Sequence, residues 1–156
     1  MIYLKPMSSE TFEKFKKVSQ EHYAESLALS EDIAKATALA HASEQFKKLV
    51  SDGRKTSGHL FFDVIEKDSE QNIGYLWLYF KNRFDKKVAF INDIHIAGPL
   101  RGQGFGTALM ALVEEEARKA QARRIELHVF AHNEIAKGLY QSLGFIFVNM
   151  DMRKEL

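Results

Sequence analysis

A chain of 156 residues, 46% of them hydrophobic and 28% charged, can bury a sizeable core but would divide poorly into two, so one domain over residues 1–156 is expected. Its 22 Lys and Arg against 21 Asp and Glu leave a net charge of +1, without the strong bias that draws a protein to nucleic acid or an anionic membrane; neither is expected as a partner. With no cysteine, the chain has no disulfide, thiol nucleophile or cysteine-based zinc site, and no metal is expected.

Met1-Ile2-Tyr3-Leu4-Lys5 lacks the basic segment and long apolar core of a signal peptide, and no stretch approaches the ~18 apolar residues of a membrane span, so a cytoplasmic location is expected. Ile2 to Pro6 reads as a short strand. Ser8 or Ser9 can cap a helix with Phe12, Phe15, Ser19, His22, Tyr23 and Leu27 on one face. Ser30, Glu31 and Asp32 then suggest the start of a second helix, whose buried stripe would be Ile33, Ala36, Leu39, Ala40, Phe46, Leu49 and Val50. After a loop over residues 52–58, strands His59 to Glu66, Ile73 to Lys81 and Lys87 to Ile96 are predicted to form an antiparallel meander. A glycine-rich loop, a helix from Thr107 to Ala120 and a strand from Arg124 to Phe130 make a right-handed crossover. A helix from Asn133 to Ser142 and a strand from Phe145 to Met152 complete the order β-α-α-β-β-β-α-β-α-β.

The loop Arg101-Gly102-Gln103-Gly104-Phe105-Gly106 reads as a phosphate cradle. Three glycines let an anionic oxygen approach the main chain, and the helix that begins there aims its unpaired N–H groups at the loop. Arg101 adds a permanent cation suited to phosphate. A P-loop is a poor match because no lysine precedes Thr107, and the spacing Gly102-x-Gly104-x-Gly106 departs from the dinucleotide fingerprint. A plain strand-to-helix turn remains the alternative for this loop taken alone.

A second motif follows about 30 residues further on: Asn133-Glu134-Ile135-Ala136-Lys137-Gly138-Leu139-Tyr140-Gln141-Ser142-Leu143-Gly144-Phe145. Together the two motifs resemble the GNAT superfamily of acyl-CoA-dependent N-acyltransferases, whose patterns R/Q-x-x-G-x-G/A and N-x-x-A-x-x-L-Y-x-x-x-G-F are met at every fixed position. Gly74 to Leu78, Ala89 to Asp93, Leu127 to Asn133 and Met152 to Leu156 also look like a small bacterial GNAT subgroup. The resemblance is weakest over residues 8–58, where acceptor recognition would be expected.

The resemblance implies an α+β, three-layer fold with a mixed central sheet of six to seven strands flanked by four helices. It also implies acetyl-CoA as acyl donor, held by Ile94, His95 and Ile96, by the loop Arg101, Gly102, Gln103, Gly104, Phe105, Gly106 and Thr107, and by Asn133, Ala136 and Tyr140. Tyr140 would protonate the departing thiolate, and the Ile96 N–H would polarise the thioester carbonyl. A thiolate near pKa ~8.5 and a phenol near ~10 make that transfer nearly isoenergetic. His128 occupies the position where some relatives carry a proposed general base.

The residues read by themselves leave alternatives open. His128 is equally a strand histidine satisfied by a carbonyl, Asn133 is a good helix cap, and Tyr140 suits a core position. Asp93 in an apolar strand needs a partner or a functional role, since it could bind the acceptor's ammonium, act as the base, or pair with an arginine. His95 is a third candidate base. Tyr23, Tyr75 and Trp77 suit either an acceptor pocket or the core. The expected activity is transfer of an acetyl group from acetyl-CoA to a primary amine, on a small molecule or peptide, by direct attack; pairing as a homodimer is expected from relatives. A non-catalytic acyl-CoA sensor and a purely structural interaction module are the alternatives from other classes.

Overall fold

The computed structural model describes residues 1–156. In chain order the elements are β1 (Ile2–Pro6), α1 (Ser9–Glu31), α2 (Lys35–Leu49), β2 (His59–Glu66), β3 (Asn72–Arg83), β4 (Lys86–Ile96), α3 (Phe105–Lys119), β5 (Arg124–Leu127) and α4 (Glu134–Ser142), with single 3-10 turns at Gly53–Lys55 and Gly98–Leu100. The strands form one mixed sheet in the order β1-β2-β3-β4-β5. The first four are antiparallel, and β5 joins β4 in parallel through the α3 crossover. No helix is long and apolar enough to cross a membrane.

Alternating side chains divide two cores between the faces of the sheet. Phe62, Val64, Leu76, Leu78 and Ile91 pack against Leu109, Met110 and Val113 of α3. On the other face Phe61, Tyr75 and Trp77 meet Phe12 and Phe15 of α1 and Phe46 of α2. Phe12 packs edge-on to Phe61 at 4.9 Å, and Phe15 edge-on to Tyr75 at 5.0 Å, the geometry that aromatic quadrupoles favour. Trp77 Nε1 donates to His59 Nδ1 at 2.9 Å, so this core carries few unsatisfied polar groups.

Two backbone details shape the sheet near the loop. Gly74 is required by close approach: a Cβ there would fall 2.1 Å from the His95 carbonyl oxygen. The pairing of β3 with β4 shifts between Trp77 opposite Asp93 and Leu78 opposite Ile91, leaving Asn92 as the extra residue of a bulge.

Four expectations are corrected. The Ser8 cap holds α1, with its hydroxyl accepting from Thr11 N–H at 3.1 Å, but Ser30 and Glu31 continue that helix and left-handed Asp32 ends it. The buried face of α2 is Ala38, Ala42 and Phe46, whereas Ile33, Ala36, Leu39, Ala40 and Leu49 are exposed. Small residues let α2 sit close on α1, where Ala24, Ala38 and Ala42 form a cluster, and this close approach outweighs the bulkier stripe. The strand expected from Arg124 to Phe130 stops at Leu127, and Phe145–Met152 pairs with nothing. The sheet therefore has five strands, not six to seven.

Candidate active site

The β4–β5 ladder runs only from Val88 opposite Arg124 to Ile91 opposite Leu127. Beyond it the two chains part, and residues of both line a cavity of about 1110 Å³ that also takes in α1, α2, the glycine loop and α4. Antiparallel pairing alternates between bonded and non-bonded residues. Ala97 N–H donates to the Ile73 carbonyl at 2.9 Å, so Ile96, opposite Gly74, turns its own N–H away from β3 and toward the opening. The amide nitrogen of Asn92 is buried at the bulge without a partner, and Asn92 lines the same cavity.

The loop builds an anion site from backbone alone. Gly102 (φ 75°) and Gly104 (φ 87°) adopt left-handed conformations that favour glycine, and Gly104 caps α3. Arg101 N–H bonds to Gly98 and Ala108 N–H to Gly104, but none of the N–H groups from Gly102 to Thr107 donates within the chain. Six consecutive donors at a helix start are complementary to phosphate oxygens. Arg101 Nε donates to the Ile96 carbonyl at 2.9 Å, and its guanidinium reaches His95 Nδ1 at 3.4 Å, tying the loop to the end of β4. The side chain of Gln103 turns to the Pro99 carbonyl, and that of Phe105 packs into the core, so these two contribute only main chain here.

A polar cluster sits where α1 crosses β4. Asp93 accepts a 2.6 Å hydrogen bond from Ser19 Oγ. Burial pushes its carboxyl above the usual range, while the hydroxyls of Ser19 and Tyr75 and the nearby His22 pull partly back. Tyr75 OH meets His22 Nδ1 at 3.1 Å; burial first, and Asp93 second, raise its phenol. His95 lies 4.8 Å from His22 and is stacked 5.2 Å from Tyr75, centroid to centroid. Burial, with His22 and Arg101 alongside, lowers it to about 4, so it is neutral at pH 7. Asp93 thus has hydroxyl partners, and pairing with an arginine is set aside.

Tyr140, on α4, lines the cavity, and its phenol is raised by burial and then by Asp93. Asn133 caps α4, its Oδ1 accepting from Ala136 N–H at 3.2 Å. His128 lies past the end of β5 on an exposed loop, edge-on to Phe130 at 4.9 Å. The structure brings Asp93, Ile94, His95, Ile96, Arg101, Gly102, Gly104, Gly106, Thr107, His128, Asn133, Ala136 and Tyr140 to one cavity. Sequence reasoning places Ser19 and His22 only on a helix face. The signal in the chain is two polar side chains, three residues apart, on an otherwise apolar stripe, where each needs a partner.

Residues 19–145 match the family described as the acetyltransferase (GNAT) family. The chain is 34% identical to Bacillus subtilis YdgE, named an uncharacterized N-acetyltransferase, over 98% of this chain and 97% of that one. It is 30% identical to YycN of the same organism, similarly named, over 99% of each chain. The crystal structure of YycN matches with a TM-score of 0.93 at 29% identity, covering 100% of this chain and 99% of the other. This chain belongs to the GNAT family and is an acetyltransferase.

Proposed function

For this GNAT-family acetyltransferase, we propose that acetyl-CoA is the donor and a primary amine the acceptor, with direct attack and no acyl-enzyme. The observation that carries the reading is the row of unpaired N–H groups from Gly102 to Thr107, beside a cleft between β4 and β5 that Tyr140 lines. The loop takes the pyrophosphate, and the parted strands admit the pantetheine arm, whose amides match backbone groups left without strand partners. Asn133 and Ala136 flank that arm.

The amine nitrogen bonds to the thioester carbon while Ile96 N–H stabilises the developing oxyanion. An amine must lose a proton to complete this step, since at pH 7 a lysine-like amine is less than ~0.1% neutral. Asp93 takes it: a carboxyl raised by burial is a better proton acceptor than an ordinary one. The carbon–sulfur bond then breaks, and Tyr140 gives its proton to the leaving thiolate. His128, on the outer wall, exchanges protons with solvent. Tyr23, Phe46, Leu49, Trp77 and Phe130 line the acceptor end, which suits an amine carried on an apolar body.

Thermal unfolding with acetyl-CoA, followed by CoA release against a panel of amines, tests the reading. Donor at a hundredfold over its Kd should add about 2.7 kcal/mol of stability, with thiol release only when an amine is present. Absence of a shift at millimolar donor rejects acetyl-CoA. A shift without turnover for any amine rejects catalysis in favour of an acyl-CoA sensor.

A further inference from the structure

Phe145–Met152 has the pattern of a strand but none of its bonds. Ile146, Val148, Met150 and Met152 alternate along it and stand 80%, 75%, 79% and 97% exposed. The last backbone hydrogen bond in the chain is from Phe145 N–H to the Tyr140 carbonyl, and nothing from residue 146 onward pairs. Four large apolar side chains at period two on an unpaired backbone are what a strand presents when its sheet is elsewhere. The arm's far end is fastened: Arg153 donates to Glu31 at 3.1 Å and to the Ser30 carbonyl at 2.8 Å, at the last turn of α1. Only one vacant edge of the right kind borders the cleft, since β5 pairs with β4 alone and its other edge carries no strand. An open edge of this kind is a template for another chain.

We propose that the arm Phe145–Met152 of each protomer adds to the β5 edge of a second copy, giving a strand-exchanged homodimer. The two exchanges are identical, so the contact is self-complementary and closes at two copies. Each arm becomes the sixth strand of its partner's sheet, and the apolar row Ile146, Val148, Met150 and Met152 is covered. Residues 128–130 continue the β5 edge along the cavity, so the incoming arm walls that side of the partner's cleft. The occupant follows from the chain's own chemistry: an edge without a strand and a strand without an edge, in equal number.

Sedimentation of the full chain at micromolar concentration should give about twice 17.9 kDa; a protomer mass at every concentration overturns the proposal. Val148→Pro changes a residue that is exposed and unbonded within the protomer, so its circular dichroism should match the parent while its mass falls to one protomer. An unchanged dimer mass in that variant overturns strand pairing. Chains carrying both Val148→Cys and Arg124→Cys, prepared with and without nitrogen-15 and refolded together, report the direction of pairing after treatment with a short bis-maleimide. Linked peptides of mixed isotope are expected. Links confined to one isotope, showing an arm returned to its own β5, or no link between the two positions, overturn the exchange.

Discussion

The half of the sheet from β1 to β4 and the half from β4 outward are built from the same kinds of residue but use their backbones differently. In the first half strands pair along their lengths, and both faces are covered by aromatic and aliphatic cores. In the second, β5 contributes four residues, the strands part after Leu127, and six loop N–H groups stay free. Backbone groups satisfied within the fold stabilise it; those left unsatisfied at a cleft are the ones available to a ligand. The difference teaches that the site here is largely a region of withheld pairing, bordered by a region that is fully paired.

That division predicts separable effects, the largest first. Leu76→Ala, at a fully buried position in the paired half, should cost about 2–5 kcal/mol and lower Tm by roughly 5–15 °C, with kcat unchanged below the transition. If Leu76→Ala instead abolished turnover in protein that remains folded, the two halves would not be separable. Tyr140→Phe, in the open half, should do the reverse: kcat falls about a hundredfold while Tm and the KM for acetyl-CoA barely move. Equal turnover in that variant would remove Tyr140 from the chemistry.

The junction between the halves should show in pH dependence. Asp93 has a folded pKa above the ordinary 3.8, so its contribution to stability is full below that value and is lost as pH rises through the folded pKa. Asp93→Asn should remove this loss, narrowing the fall in Tm toward neutral pH while depressing kcat. His95 runs the other way. Lowered from 6.5 to about 4, it gives stability that is full above pH 6.5 and declines as pH falls through about 4. Parallel Tm curves for wild type and Asp93→Asn would mean that Asp93 is charged in the folded protein at no cost. The smallest effect belongs to Arg83, which bridges β3 to Glu126 of β5 at 3.0 Å; Arg83→Ala should cost under about 1 kcal/mol by chemical denaturation, because the arginine is half exposed.

Legibility in the sequence follows the range of the interactions. The glycine loop and the Asn133–Phe145 motif are readable because their chemistry is local: positive φ, helix caps and a helix-borne tyrosine each lie within a few residues. The meander is readable from alternation. The buried face of α2 is not, since small alanines become core residues only when another helix approaches closely. Ser19 can be seen to need a partner, but its partner Asp93 is 74 residues away, and nothing local names it. A strand over Phe145–Met152 follows from a pattern that the sequence does carry; pattern sets which residues share a face, whereas pairing needs an edge in reach.

Asn92 has a consequence larger than its single side chain. Before it Ile91 faces α3; after it Ile94 and Ile96 do. An odd number of steps separates Ile91 from Ile94, which regular alternation forbids, and the inserted residue resets the phase. Asp93 and His95 are thereby delivered to the α1 face, beside Ser19, His22 and Tyr75, while the isoleucines stay with the core. Without this one-residue offset, the same sequence would thread its carboxylate and imidazole into the greasy layer under α3 and turn its isoleucines toward the cluster. The reactive character of the strand therefore depends on a counting error built into the chain.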